Sequence, residues 1–425
     1  MKRLILFLLT ACIFAGVSSM ATAYDFGLTS DTDGSIEAAS GQETSFSLSS
    51  QNSLWLDSSI GNTILELQAS YTYSQDRSVL LEIDHARISG GIQMENAVLN
   101  WKAGRIEATD FSGQVFSHSG DGAQLAWENG DTQIEVFGLY TGLLQASSSD
   151  ISMTNTDKYI QDLATTDPIP VLGPLGPAHI VEGLQVNLLN IVGRQSLVIA
   201  GIFQQDVNSD SQLVSGGERL HSQYGGLGFS GPLSEEGFLF YSVFGWFSHG
   251  TIGEDRMLAA LAGGSINLIL PDVRSAHLSL STIFASGDSD YAQFREGNSA
   301  DSATAFTPIT SAPIAWIFTP QQSNLCYISG RASIIPFEQG FWADKILVSL
   351  QPTLFFRTSE GPISDNTVIP NEDALYLGTE ADLLVVARIT SDLGASLGAG
   401  IFFPTSNASI SRTTVIVQAG ISLTL

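Results

Sequence analysis

Apolar and polar side chains alternate with a period of two along segments of about ten residues, and this repeat constrains the fold more than any other feature. Successive side chains of a β-strand point to opposite faces, so the repeat predicts strands with one apolar and one polar face. The clearest rows are Leu65, Leu67, Ala69, Tyr71 and Tyr73; Leu377, Thr379, Ala381, Leu383, Val385 and Ala387; and Val415, Val417, Ala419, Ile421, Leu423 and Leu425.

The lengths of the segments and of their connections favour a membrane barrel. A strand of about 9 to 11 residues crosses a bilayer, and outer-membrane barrels have short turns at one rim and long loops at the other. The short connections lie at Asn129-Gly130, Pro232 to Gly237, Pro271 to Arg274 and Thr390 to Asp392, and the long ones at Leu143 to His179 and Ser286 to Asn324. We therefore predict an all-β fold, a single transmembrane antiparallel β-barrel of about 16 to 18 strands with short periplasmic turns and long extracellular loops. A soluble secreted β-solenoid is the alternative fold.

The N-terminus has the pattern of a signal peptide. Lys2 and Arg3 precede the apolar stretch Leu4 to Val17, and Ala21-Thr22-Ala23 forms a small-residue cleavage site. We expect removal of residues 1–23, which leaves 24–425 as the outer-membrane β-barrel. The mature chain then has 15 basic against 43 acidic residues, a net charge of −28, and Cys326 as its single thiol, so no intramolecular disulfide can form.

Composition excludes several classes of function. A strongly anionic surface repels phosphate backbones, so nucleic acid is excluded as a partner. The six histidines lack metal-ligand spacing, and no Gly-x-Ser-x-Gly elbow occurs. We therefore predict no enzymatic activity, no cofactor and no metal.

Two groups of acidic residues are candidate sites for divalent cations. Asp206, Asp210 and Glu218 form one such group, and Asp288 and Asp290 form another. Neither has the ligand spacing of a dedicated calcium loop. We interpret these residues as solvated loop acids.

Charged residues on the polar faces of predicted strands are the main candidates for function. Carboxylate rings favour cations and guanidinium rings favour anions, so an acidic excess predicts mild cation selectivity in a water-filled lumen. An alternative is that three of them, Glu380, Asp382 and Arg388, form salt-bridged packing in a closed barrel. The candidate lumen and selectivity residues are Glu66, Lys102, Glu135, Arg357, Glu380, Asp382 and Arg388.

The long segment from Leu143 to His179 is rich in proline. Asp167-Pro168-Ile169-Pro170, Gly173-Pro174 and Gly176-Pro177 fix extended backbone geometry locally. Such a segment can fold inward as a constriction or lie exposed at the cell surface, and the sequence leaves both open.

Some segments carry a family resemblance. Leu375 to Leu383, which reads LYLGTEADL, and Leu397 to Pro404 resemble the alginate-export family of outer-membrane barrels. Phe284 to Asp288 followed by Phe306-Thr307-Pro308, and Leu99 to Arg105, are similar to strand ends of that family. The resemblance implies a dedicated export or uptake channel. Alginate itself is a poor candidate cargo, because an anionic polymer calls for a basic lumen and the mature chain has three Lys and twelve Arg.

Taken together, these features predict an outer-membrane porin-like channel for small hydrophilic, cationic or neutral solutes, surrounded by outer-membrane lipid. The rival interpretation is a surface adhesin or structural barrel with a closed lumen. A barrel-embedded hydrolase is a weaker rival. Nothing in the sequence selects between a monomer and a trimer.

Overall fold

The computed structural model describes residues 23–75, 77–163, 173–210, 212–214, 217–234, 237–291, 302–337 and 345–425. The predicted signal peptide lies outside these residues apart from Ala23. The proline motif at Asp167 to Pro170 also lies outside them.

Within the described residues, eighteen antiparallel strands form one closed barrel, which confirms the predicted fold class at the upper end of its strand range. Each strand pairs with the next one along the chain, and the last pairs with the first between Thr29↔Thr424 and Ala39↔Thr414. The barrel strands are β1 (Ala23–Ala39), β2 (Ser45–Ile60), β3 (Thr63–Ser74), β4 (Arg77–Gln93), β5 (Val98–Thr109), β6 (Ser117–Asn129), β7 (Thr132–Tyr140), β8 (His179–Leu188), β9 (Ser196–Asp206), β10 (Leu220–Pro232), β11 (Leu239–Ile252), β12 (Asp255–Leu270), β13 (Ala276–Ala285), β15 (Leu325–Ile334), β16 (Ile346–Phe356), β18 (Tyr376–Arg388), β19 (Leu393–Pro404) and β21 (Thr414–Thr424).

Three shorter strands belong to the connections. They are β14 (Ser302–Ala303), β17 (Val368–Pro370) and β20 (Ala408–Ser411). The first pairs in parallel with β12, and the other two pair with each other. Among the described residues, no helix is both long and apolar enough to span a membrane.

Short turns and long connections separate to opposite ends of the barrel. The four short connections predicted from the sequence all join strands at one end, which we call the turn rim. Residue Gly130 allows the tightest of these turns, because its φ of 54° lies in the left-handed region. The connections 141–178 and 286–324 both leave from the opposite end, the loop rim. This arrangement is the one in which outer-membrane barrels place their turns in the periplasm.

The outer face of the barrel wall is largely apolar. Leu227 on β10 is 58% exposed, and its neighbours across the ladder are Ile199 and Gly245. A polar solvent would penalise so much exposed apolar surface, whereas lipid does not. Other members of this belt are Leu125, Val136, Leu184, Val243, Ile266, Leu280, Leu350, Leu383, Leu397 and Ile421.

The hydrophobic core lies inside the barrel rather than within its wall. Residues from both long connections are buried there against inward side chains of the strands. The core members from the connections include Ile151, Met153, Phe306, Ile309 and Phe318. Helix α1 (Asn155–Leu163) and a single 3-10 turn (Ala146–Ser148) belong to the first connection.

Side-chain hydrogen bonds join strands β4 and β5 where their backbone pairing ends. Pairing between β4 and β5 stops at Ala86↔Arg105, toward the loop rim. The guanidinium of Arg105 pairs with Asp121 at 2.9 Å and donates to the carbonyl oxygens of Ile83 and Leu143. The first long connection is therefore fastened to the wall where the two strands separate.

Candidate functional site

The inner face of β1 carries a row of carboxylates that are exposed inside the barrel. Every second residue of this strand shares one face, and the opposite face includes Phe26 and Ile36, which are exposed on the lipid side. From the first to the last acid the row spans about 40 Å along the strand. The acids of the row are Asp25, Asp31, Asp33 and Glu37.

Contacts across the ladder establish that this face looks inward. The carboxylate of Asp33 lies over Gly420 of β21, beside the hydroxyl of Ser396 on β19. Two residues further along that face of β19, Gly398 lies under the indole of Trp316, which belongs to the second long connection inside the barrel. The row of acids therefore shares the lumen with the inward-folded connection.

The neighbouring strands add a mixed set of charges. Glu66 on β3, a predicted lumen residue, accepts two hydrogen bonds from Arg87 on β4, at 2.6 and 2.7 Å. Asp57 is exposed on the same inner face, directly opposite Glu66. Lys102 lies between Ser89 and Gln124 in the polar inner row of β4 to β6. Glu66 and Lys102 thus face the lumen as predicted by the alternation, and an ion pair neutralises much of the charge of Glu66.

The first long connection fills part of the lumen beside β5 to β10. Ile151 pairs with Thr310 of the second connection, and Gln161 donates to the carbonyl oxygens of Ser149 and Ile151. Ile151 and Met153 are fully buried against the wall. Of the two placements left open by the sequence, the described part of this segment adopts the inward one. We call residues 141–163 and 173–178 the first inner segment.

The second long connection also folds inward. Its described residues 302–324, the second inner segment, contact inward side chains of distant strands. Tyr224 on β10 donates its hydroxyl to the carbonyl oxygen of Thr307 at 2.6 Å, and Gln351 on β16 donates to Ile314 at 3.1 Å. Phe318 stacks on Phe402 of β19 with ring centroids 4.8 Å apart. The segment therefore spans the lumen between opposite parts of the wall.

Glu380 anchors the second inner segment. Its carboxylate accepts the backbone N–H groups of Trp316, Ile317 and Phe318, each at 2.8 Å, and the side chain is 0% exposed. The side chain of Glu380 points inward, as the alternation predicts. Its carboxylate binds the backbone of the second inner segment and is not exposed to the lumen. A carboxylate with three N–H donors is well satisfied and fixes the backbone around it.

Asp382 lies two residues further along β18 and borders a cavity of about 260 Å³. Among the described residues, neither of its oxygens has a hydrogen-bond partner, although the side chain is only 4% exposed. Arg331 on β15 lines the same cavity, as do Gln351 and Trp316. Asp382 is therefore the predicted acid on this strand that remains available to a ligand.

The remaining candidates occupy different settings. Glu135 shares the inner face of β7 with buried Phe137, opposite lipid-facing Val136, as the alternation predicts. Arg388, at the turn rim, is exposed and donates weakly to the carbonyl oxygens of Thr390 and Ser391 at 3.4 Å. It therefore lies at the mouth of the barrel.

Arg357 differs from the expectation of an inward lumen charge. It follows the last residue of β16, and its guanidinium donates to carbonyl oxygens of the 360–374 connection, including those of Ala374, Glu360 and Glu372. The side chain is enclosed by that connection. The alternation was extended one residue beyond the end of the strand, where it no longer determines direction.

A buried polar cluster fastens helix α1 to the wall. Asp157 accepts hydrogen bonds from His179 Nε2 at 2.9 Å and from Asn208 Nδ2 at 3.1 Å. Burial opposes ionisation of Asp157, but the neighbouring imidazole and hydrogen bonds from the Thr154 backbone and side chain outweigh it, so its pKa is lowered. Asp206 also belongs to this cluster and is buried, which corrects its interpretation as a solvated loop acid. Sequence spacing missed the cluster because its members come from three separate elements.

The inner segments cover one side of the inner wall, and the row of acids on β1 lies on the other, exposed side. Inward residues of β5 to β18 are largely buried under the segments near the loop rim, whereas the acids of β1 remain exposed to solvent. The described inner wall along β1 to β3 is therefore polar and predominantly acidic. Carboxylates that line an aqueous passage favour cations over anions.

Comparison with known proteins supports the architecture. No family model matches the chain, and no curated protein matches it significantly. OpdL of Pseudomonas aeruginosa superposes with a TM-score of 0.58 at 11% identity, covering 95% of this chain and 98% of that one. OpdO of the same organism gives 0.58 at 12% identity with 96% and 98% coverage, and the outer membrane protein OpdK gives 0.52 at 8% with 94% and 99%.

Similarity at this level of identity shows the fold alone, which is a closed β-barrel of the outer-membrane type. The resemblance found in the sequence is confirmed for that broad class. These structures are Opd proteins and not alginate exporters, so they give no support to the narrower family.

Proposed function

We propose that the protein is an outer-membrane channel that passes small hydrophilic solutes and prefers cations. The observation that carries this proposal is the row of exposed carboxylates on the inner face of β1. Residues 24–425 form the channel, and residues 1–23 direct export and are removed.

Two features support a conducting barrel over a closed one. The acids of β1 are solvent-exposed although they point away from lipid. The described parts of the inner segments pack mainly against β5 to β19 and do not cover the β1 to β3 side.

The exposed carboxylates of β1 also indicate which solutes the channel prefers. Acidic rows in a narrow polar passage raise the local concentration of cations and repel anions. A uronate polymer is not proposed, since the mature chain has 43 acidic residues against three Lys and twelve Arg.

Planar-bilayer recording tests the proposal. Protein comprising residues 24–425 should conduct, and under a salt gradient its reversal potential should have the sign of cation preference. Asp33→Asn should move that potential toward zero. Asp210→Asn is the control, because it removes the same charge from an exposed loop outside the β1 row and should change the potential less. Folded, inserted protein without conductance would contradict the channel and favour an adhesin or structural barrel.

A further inference from the structure

We infer that Asp157, His179 and Asp206 form a binding site for one divalent transition-metal ion, with zinc as the best match, that fastens the first inner segment to the barrel wall. One potential ligand atom from each of the three side chains lies within 4.8 Å of the other two. Helix α1, the start of β8 and the end of β9 each contribute one residue. The site is distinct from the acids of β1 and does not depend on the proposed channel function.

The ligand types point to zinc rather than to calcium or magnesium. Zinc binds imidazole nitrogen together with carboxylate oxygen and commonly uses three protein ligands plus water. Calcium and magnesium prefer sets made of oxygen alone. One imidazole and two carboxylates thus match a borderline ion such as zinc.

The cluster has more acidic than basic side chains, two carboxylates against one imidazole. Asp206 is 3% exposed, and its Oδ2 has no hydrogen-bond partner among the described residues. Its other oxygen accepts the backbone N–H of Asn208 at 2.9 Å. The guanidinium of Arg219 is engaged by Asp210 and by the carbonyl oxygen of Asn208. Even with a protonated imidazole, two buried carboxylates leave a net negative charge, which a bound cation neutralises.

The surroundings of His179 suit a metal ligand. A ligating histidine usually has its second nitrogen held by a hydrogen bond, which fixes the ring. The Gln204 amide lies 2.6 Å from Nδ1 of His179 and is itself held by the Ser222 hydroxyl at 2.9 Å. With the metal on Nε2, the imidazole carries its proton on Nδ1. A 180° rotation of the Gln204 amide places its Oε1 where it accepts the hydrogen bond from that N–H. Any proton on Nε2 is released to solvent when the ion binds.

The first ligand is also held in place. Backbone N–H groups of Met153 and Thr154 donate to Oδ2 of Asp157, at 3.1 and 2.9 Å. Its Oδ1 is the oxygen that faces His179. An ion at this point would replace the hydrogen bond between Asp157 and His179 by two bonds to metal. Because the site is buried, the ion enters as the first inner segment docks, and metal should be present during folding.

Metal content and thermal stability of the full chain in detergent test this inference. Protein folded with Zn²⁺ and then dialysed should retain one zinc per chain and unfold at a higher temperature than protein folded with a chelator. Asp206→Asn and His179→Gln should each remove the zinc and the temperature difference. Asp210→Asn, four residues beyond Asp206 and exposed, should keep both.

A measurement on the unmodified protein guards against variants that fail to fold. X-ray absorption at the zinc edge should show oxygen and nitrogen ligands with one imidazole. Failure to retain zinc, retention unaffected by Asp206→Asn in folded protein, or a spectrum without imidazole would each overturn the site. Channel recordings are independent of these readouts, so the metal site and the channel can fail separately.

Discussion

The backbone N–H of Phe318 donates a 2.8 Å hydrogen bond to Oε2 of Glu380, and this bond joins the second inner segment to strand β18. Two further N–H groups of the same segment reach the other oxygen. A strand residue thus sets the position of a segment that spans the lumen. The shape of the passage therefore depends on a side chain that solutes do not reach.

Replacing Glu380 should loosen the second inner segment. We expect Glu380→Gln to lower the free energy of unfolding by about 1.5 to 3 kcal/mol, since it weakens hydrogen bonds to a charged acceptor. Single-channel recordings should also show a larger or noisier conductance. Asp382→Asn is the matched control on the same face of β18, because neither Asp382 oxygen holds the segment. Equal effects of the two changes would contradict the anchoring role.

A methyl group added under Trp316 should disturb the same segment. A Cβ at Gly398 would lie 2.5 Å from the indole, so Gly398→Ala should cost about 1 to 3 kcal/mol through overpacking. At Gly225 of β10 a Cβ would meet nothing within 4 Å, so Gly225→Ala should leave stability nearly unchanged. Denaturant unfolding in detergent measures both. If Gly398→Ala is as well tolerated as Gly225→Ala, the indole does not rest on β19.

The periodicity of the sequence is sufficient to predict the barrel. For most of the predicted strands it also indicates which side chains face lipid and which face the lumen. Residues 379–387 of the first row lie on β18 and residues 415–423 of the second lie on β21 with the predicted alternation. Leu377, predicted to lie in the first row, is instead fully buried in the core, where the ladder to β16 is irregular. Strand β1 escaped detection because Ser, Thr, Asp and Gly interrupt its apolar row, and pairing on both edges forms the strand regardless. The main acids of the passage were therefore not among the predicted site residues.

Other parts of the site depend on tertiary structure. The alternation along β16 predicts an inward side chain at Arg357. Because β16 ends at Phe356, the side chain of Arg357 instead donates to carbonyl oxygens of the following connection. Phe306, Ile309 and Phe318 are apolar residues scattered among Ser, Thr and Pro, and no local pattern shows that they fold back into the barrel. The grouping of Asp157 with His179 likewise arises only when α1 docks.

Arg357 should be structural rather than conducting. Arg357→Ala should destabilise the protein by about 1.5 to 3 kcal/mol, because several buried carbonyl oxygens lose a charged donor. Arg388→Ala removes a guanidinium that makes only weak bonds at the turn rim and should cost much less. Thermal unfolding of both variants in detergent compares them. A larger loss for Arg388→Ala would show that Arg357 does not organise its connection.

An arginine introduced on the outer or on the inner face of the wall tests whether the apolar belt contacts lipid. Leu227→Arg should cost about 2 to 4 kcal/mol if this position contacts the middle of a bilayer. Gln185→Arg places the same side chain on the inner face of β8 and should change stability little. Folding into lipid vesicles, with unfolding by denaturant, gives both values. Similar costs at the two positions would contradict the assignment of inner and outer faces.

The reversal potential of residues 24–425 in a planar bilayer under a salt gradient is the most direct test of the central claim. The exposed carboxylates of β1 predict a conducting pore with cation preference, reduced by Asp33→Asn. An anion-preferring pore would show that Arg87, Lys102 or Arg331 controls the passage instead. Folded protein that spans the bilayer and passes no current would contradict the channel itself.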